Sequence, residues 1–186
     1  TQFAPNVNDI HTSVKELMKN YVRDTTNLRS KKEKTDLPNS SSTTLLVTGG
    51  CGFIGSNFIN HIHSTYDAIK IINLDAMYYC ANENNVNEYV RNSERYKLIK
   101  GNLQAYDLIR YIFQSNQITH VVNFAAQSHV QSSFDDSLQY TKDNIMGTHN
   151  LLEVARLYCP TLQKFIHVST DEVYGESMID AEEKHK

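Results

Sequence analysis

Thr44-Leu45-Leu46-Val47-Thr48-Gly49-Gly50-Cys51-Gly52-Phe53-Ile54-Gly55 is an apolar run that breaks into a turn carrying four glycines. The run predicts a buried strand, and Phe58, Ile59 and Ile62 beyond it recur at helical spacing. The glycines satisfy G-x-G-x-x-G through Gly50, Gly52 and Gly55, and G-x-x-G-x-x-G through Gly49, Gly52 and Gly55. A glycine string alone says little. Here a strand precedes it, a helix follows it, and Asp75 closes the next apolar run 20 residues after Gly55, which is the context of a dinucleotide-binding turn. Such glycines let the backbone approach a pyrophosphate, whose charge then sits at the helix N-terminus.

Outward from this turn, apolar runs alternate with helical ones. Lys70–Leu74, Tyr96–Ile99, His120–Phe124 and Phe165–Val168 predict four further strands. Leu108, Ile109, Ile112 and Phe113, and Ile145 through Leu151, Leu152, Val154 and Ala155, predict helices between them. Strand, helix, strand in repetition predicts an α/β fold, a Rossmann-type doubly wound parallel sheet seen through its first five strands. Residues 1–43 differ. Ile10, Val14, Leu17, Met18, Tyr21 and Val22 predict one amphipathic helix, and the stretch from Arg29 to Ser42, with its lysines, Pro38 and serines, has linker composition. Residues 44–186 are expected to form the nucleotide-binding domain.

Of 186 residues, 40% are hydrophobic and the formal charge is −3, which gives no basic field for nucleic acid or anionic lipid. No apolar stretch reaches the ~20 residues that cross a bilayer, so a cytoplasmic protein without membrane partners is expected. The three cysteines, Cys51, Cys80 and Cys159, are widely spaced and form no C-x-x-C pair, so neither a disulfide framework nor a metal site is indicated.

Asp75 has the place of the carboxylate that bonds adenosine ribose hydroxyls and repels a 2′-phosphate, which favours NAD over NADP. Gly101-Asn102-Leu103 ends the third strand, where Asn102 can accept from an adenine amino group and can donate as well. Phe124-Ala125-Ala126 ends the fourth, and small residues there let a cofactor lie against the backbone. Phe53 and Ile54 complete the cofactor set on the glycine turn. The fifth run leads into Thr170-Asp171-Glu172, a hydroxyl beside two adjacent carboxyls. Adjacent carboxyls ionise unequally, so one can serve as acid while the other serves as base.

The glycine turn, Asp75, Phe124-Ala125-Ala126-Gln127-Ser128-His129-Val130, the helix from Asp143, and Ser169 through Glu176 together resemble extended short-chain dehydrogenases, specifically nucleotide-sugar 4,6-dehydratases of dTDP-glucose and UDP-glucose. The resemblance spans Thr44 to about Glu176. It implies that Glu172 removes the C5 proton of a sugar oxidised at C4 by NAD⁺, that Asp171 protonates the departing C6 oxygen, and that Thr170 bonds the C4 oxygen. Ser128 would help hold the nucleotide sugar, and the product would be a 4-keto-6-deoxy sugar on the way to rhamnose. The family is homodimeric. Three positions depart from its pattern: Ala76 where Lys is common, Asn102 where Asp is usual, and Asp143 where Thr is frequent. All three touch the cofactor, so altered NAD affinity is expected from them.

The family's Tyr-x-x-x-Lys pair should follow Gly175 and is not among these residues; Tyr66…Lys70 matches by accident, ahead of the second strand. The chain is therefore expected to be the cofactor half of a longer protein and inactive alone. A nucleotide-sugar epimerase or reductase, and a non-catalytic NAD-binding module, are the alternatives.

Overall fold

The computed structural model describes residues 43–170 and Val173. The expected N-terminal helix and linker, and Asp171 and Glu172, lie outside the described residues. Five strands, β1 (Thr43–Thr48), β2 (Ile69–Asp75), β3 (Tyr96–Lys100), β4 (His120–Asn123) and β5 (Lys164–His167), form one all-parallel sheet in the order β3-β2-β1-β4-β5. All five were predicted from their apolar runs, with ends shifted by a residue at most.

The central runs of β1, β2 and β4 are mostly apolar because both sheet faces are covered there, while the edge strands β3 and β5 are only half-buried. Successive side chains alternate between faces. Leu45, Val47, Ile71 and Val122 pack on one side against Ile59 and Ile62 of α1 (Phe53–Thr65) and against Val90 of α2 (Glu88–Arg91). Leu46, Ile72, Leu74 and Val121 pack on the other against α3 (Tyr106–Ser115) and the long helix α6 (Gly147–Tyr158). On α3, Ile109, Ile112 and Phe113 are buried at spacings of three and one, while Asp107 and Arg110 pair at 2.9 Å on its outer face.

Two regions went unread in the sequence. Between β2 and β3 a 3₁₀ turn (Glu83–Asn85) and the single turn α2 are built on asparagines rather than on apolar periodicity: Asn82 Oδ1 accepts from Asn84 N at 2.9 Å, and Asn60 Oδ1 accepts from Asn87 N at 2.9 Å. Before α6, the short helices α4 (Val130–Asp135) and α5 (Ser137–Tyr140) run into a π-helical turn at Thr141–Met146. The start of the helix predicted from Ile145 is thus π-helical up to Met146, with Asp143 and Asn144 on that turn and Tyr140 closing α5.

The C-terminal end of α1 is closed by Arg95, whose guanidinium donates to the carbonyls of His63 (3.1 Å), Tyr66 (2.8 Å) and Ile69 (3.3 Å). Burial, and then the adjacent Arg95, hold the His63 imidazole below its ordinary pKa, with Asp67 opposing them weakly. A depressed histidine pKa favours the neutral ring in the fold. Its contribution is complete above the unfolded value near 6.5 and declines as pH falls through it, until the folded value is passed. Urea unfolding at pH 7.5 and 5.5 should therefore show a stability loss on acidification that is smaller in His63→Leu. An equal loss in both proteins would exclude His63 as its source.

Candidate functional site

A cavity open to solvent lies at the carboxyl ends of β1, β2, β3 and β4. It sits where the strand order reverses, between β1 with its neighbour β2 on one side and β4 on the other, which is where open parallel sheets bind ligands. Gly49 and Gly52, Asp75, Asn102 and Leu103, and Phe124, Ala125 and Ala126 all line it. The sequence set these residues apart from one another by as many as 77 positions, and the sheet brings them together.

The glycine turn has two different constraints. Gly49 takes φ +70°, and a Cβ there would lie 2.7–2.9 Å from backbone atoms of Phe124 and Ala125, so the ends of β1 and β4 touch with no room for a side chain. Gly52, at φ −74°, has ordinary backbone, and a Cβ would meet only the Gly49 carbonyl at 3.4 Å. Its bareness serves the cavity rather than the fold. Gly52 is also the N-cap of α1, where no side chain caps the helix and no acid stands in the first turn. The positive end of α1 is thus open to an anion. Phe53 and Ile54 stand on that first turn with exposed side chains outside the cavity lining, leaving only their backbone to face such an anion.

Asp75 is 6% exposed and ties two walls together: Oδ2 accepts from Cys51 N and Oδ1 from Met77 N, both at 2.8 Å. Met77 takes φ 57°, a left-handed conformation held in part by that bond. Each carboxylate oxygen keeps a lone pair for a further donor. The segment after β2 crosses to the glycine turn, where Cys51 O accepts from Asn82 N (3.0 Å) and Asn85 Nδ2 (2.8 Å), and Glu83 pairs with Lys100. The two departures Asn102 and Asp143 prove to be partners, with Asn102 Nδ2 donating to Asp143 Oδ1 at 3.0 Å. Both protons of the Asn102 amide are taken, the second by Tyr78 Oη at 2.6 Å, so its expected ability to donate to a ligand is already used. Ala76 lines the cavity without a polar group.

Ser128 is exposed just beyond the β4 wall, and Thr170 is exposed three residues past β5. β5 runs beside β4, His167 opposite Asn123, and Val168 N donates to Asn123 O at 3.0 Å. Asn123 also accepts from Thr48 Oγ1 and donates to His167 Nδ1 (2.9 Å), so the imidazole must carry its neutral proton on Nε2. His129 caps α4, its Nδ1 accepting from Ser132 N at 3.2 Å. Tyr66 and Lys70 lie at the start of β2, the opposite end of the sheet from the cavity.

Sequence reasoning missed Tyr78, Cys80, Ala81 and Gln127 as cavity residues, while Asp143, expected to touch the cofactor, lines the cavity. None lies in a periodic pattern. Asn144, also missed, pairs both ways with the Gln127 backbone, accepting from N at 2.7 Å and donating to O at 2.9 Å, and so fixes the loop after β4. The cysteines differ sharply: burial, and then Asp75, push the Cys51 thiol up to about 11, while Cys80 is exposed on the cavity wall. Limited alkylation should modify Cys80 and spare Cys51. Labelling of Cys51 by mass spectrometry in the folded protein would contradict this arrangement.

The fold and the cavity define a nucleotide-binding protein of the doubly wound α/β class, with bare glycines, an uncapped helix and a ribose-type carboxylate that fit a dinucleotide. The chain belongs to the GDP-mannose 4,6 dehydratase family, whose model matches residues 46–186. It is 43% identical over 137 residues, 74% of its length, to a trifunctional UDP-glucose 4,6-dehydratase, 3,5-epimerase and reductase of Arabidopsis thaliana. It is 43% identical over 136 residues, 73% of its length, to the dTDP-D-glucose 4,6-dehydratase of Dictyostelium discoideum. The chain spans 20% and 31% of the length of these two relatives. Among solved structures, the dTDP-glucose 4,6-dehydratase of Bacillus anthracis in complex with NAD matches with a TM-score of 0.66 at 37% identity, over 76% of this chain and 42% of that one.

Proposed function

We propose that this chain is the cofactor-binding part of an NAD-dependent 4,6-dehydratase that converts dTDP-glucose or UDP-glucose to the 4-keto-6-deoxy sugar in the cytoplasm. The observation that carries the reading is the adjacency of β4 and β5: the strand leading to Thr170-Asp171-Glu172 leaves the sheet beside the Phe124-Ala125-Ala126 wall of the dinucleotide cavity. NAD, when bound, would supply the acceptor for the hydride leaving C4, whose oxidation makes the C5 proton acidic, and would give that hydride back to C6 after water has left. The glycine turn and the α1 N-terminus would hold the pyrophosphate, and Asp75 the adenosine ribose. Thr170 would orient the C4 oxygen and Ser128 the sugar. Glu172 would take the C5 proton while Asp171 gives a proton to the C6 oxygen, which leaves as water.

The residues from 1 to 43 are proposed as a separate helix and linker, and residues 44–186 alone as inactive toward the sugar. A second copy of the protein is proposed to cover the exposed apolar residues Leu138, Ile145, Met146 and Leu152. Light scattering of the full-length protein should give a dimer that Ile145→Asp weakens, and a monomeric full-length protein would remove this part of the reading.

The test is incubation of the protein, completed by its continuation after Lys186, with NAD⁺ and each nucleotide sugar, following the alkali-induced absorbance of 4-keto sugars. Product formation supports the dehydratase. A product epimerised at C4 with no keto sugar would replace it with an epimerase, and bound NAD without any turnover would replace it with a binding module.

A further inference from the structure

At one end of the cavity a buried carboxylate is surrounded by neutral donors. Asp143, 9% exposed, accepts on Oδ1 from Gln104 Nε2 (2.7 Å), Asn102 Nδ2 (3.0 Å) and Tyr78 Oη (3.2 Å). On Oδ2 it accepts from Gln139 Nε2 (2.9 Å) and Gln127 Nε2 (3.3 Å). A carboxylate offers about four lone-pair sites, so five donors leave it nothing to give a ligand. Asp143 therefore acts through its neighbours. The neighbour whose chemistry it decides is Asn102.

A carboxamide can offer a ligand either an acceptor or a donor, and which one is set by its other partners. The Asn102 oxygen accepts from Gln104 N at 2.8 Å, a contact only an oxygen can make. Its nitrogen faces Asp143 Oδ1 and Tyr78 Oη, and both protons are engaged there. A flipped amide would set its oxygen against the Asp143 carboxylate and its NH₂ against the Gln104 N–H. The remaining capacity of Asn102 is one lone pair on Oδ1, and the residue lines the cavity beside Ala76 and Leu103.

We infer that Asp143 is a specificity-determining residue of the dinucleotide site: by holding the Asn102 amide nitrogen it makes Asn102 an acceptor-only group, which selects a purine bearing a 6-amino group over its 6-oxo counterpart. This rests on the dinucleotide reading above. The protonation states that write this code are fixed near neutrality. Burial pushes the Asp143 carboxyl up, but donation from Gln139, Asn102, Gln104 and Gln127 outweighs it and holds the group below its ordinary range. Burial and the Asp143 charge both push the Tyr78 phenol up, so it stays protonated.

The test compares binding of NAD and of nicotinamide hypoxanthine dinucleotide, its 6-oxo analogue, by calorimetry. The parent protein should bind NAD about tenfold tighter, the worth of one hydrogen bond to the base. In Asp143→Asn, the new amide can donate or accept, so only the Gln104 N–H still opposes a turned Asn102 amide, and the ratio should fall below the parent's. In the exchange variant Asn102→Asp with Asp143→Asn, the carboxylate at 102 is acceptor-only by itself, and the ratio should return. Equal binding of the two dinucleotides by the parent overturns the inference, as does an Asp143→Asn protein that weakens both by one factor and leaves the ratio intact. Where Asp143→Asn does not fold, the ratios of the parent and the exchange variant decide. Failure of either dinucleotide to bind the parent removes the dinucleotide reading, and this inference falls with it.

Discussion

In the full-length protein of the proposed reading, replacing Glu172 with Gln is expected to lower formation of the 4-keto-6-deoxy sugar by about 10²–10⁴-fold, the range typical of a lost general base. Gln keeps the length and most of the shape of Glu and cannot take a proton. The residues that line the dinucleotide cavity belong to the glycine turn, the ends of β2, β3 and β4, the segments that follow β2 and β4, and the π-helical turn, and none of them is altered by the substitution. NAD affinity should therefore stay within about twofold of the parent, a fraction of the ~1 kcal/mol that one hydrogen bond contributes. Retention of most of the turnover would assign the base elsewhere. Loss of NAD binding together with turnover would make Glu172 part of the cofactor site instead.

The second large effect separates two glycines three residues apart. Gly49→Ala should destabilise the protein by about 2–5 kcal/mol, combining the cost of a left-handed non-glycine residue with overpacking against backbone. The neighbours are the main chain of Phe124 and Ala125, which cannot swing aside as a flexible side chain could. Against a typical total stability of about 5–15 kcal/mol, that loss is a large fraction of the fold. Gly52→Val should behave oppositely. Its backbone is ordinary and a Cβ there meets only one atom within 4 Å, so the stability loss should stay near the ~1 kcal/mol of a poor N-cap residue while NAD binding falls more than about 100-fold through loss of the space for the pyrophosphate. A Gly52→Val protein that binds NAD normally would place the pyrophosphate away from this turn. A Gly49→Ala protein as stable as the parent would contradict the close approach of β1 and β4.

The central strands β1, β2 and β4 were legible because they are buried on both faces and so carry apolar runs, as Leu45-Leu46-Val47 and Val121-Val122 show, while the half-buried edge strands β3 and β5 were read from the shorter runs Leu98-Ile99 and Phe165-Ile166. The helices α1 and α3 were legible because only one face of each is buried, giving the spacing of Ile59 with Ile62 and of Ile109 with Ile112. The glycine turn and Asp75 announced themselves by spacing relative to the strands. Tyr78, Gln127 and Asn144 did not, since their place depends on which side-chain partners the sheet brings near, and a polar residue in a loop or at a helix start looks the same with or without such partners. The expectation that Ala76, Asn102 and Asp143 alter NAD binding changes in character for two of them. Asn102 and Asp143 touch, so they form one arrangement rather than two independent defects.

The sheet order has a kinetic consequence. β1 and β2 are joined through a single helix, and β2 and β3 pair across the turns that follow, so β1, β2 and β3 can assemble from contacts close in sequence. The β1–β4 seam joins residues 75 apart, Thr48 with Asn123 among them, and its formation closes a far longer loop. The cavity straddles that seam. A molecule held there grips the part of the chain whose contacts form late and part early, so its effect should fall on the rate of unfolding rather than on the rate of folding.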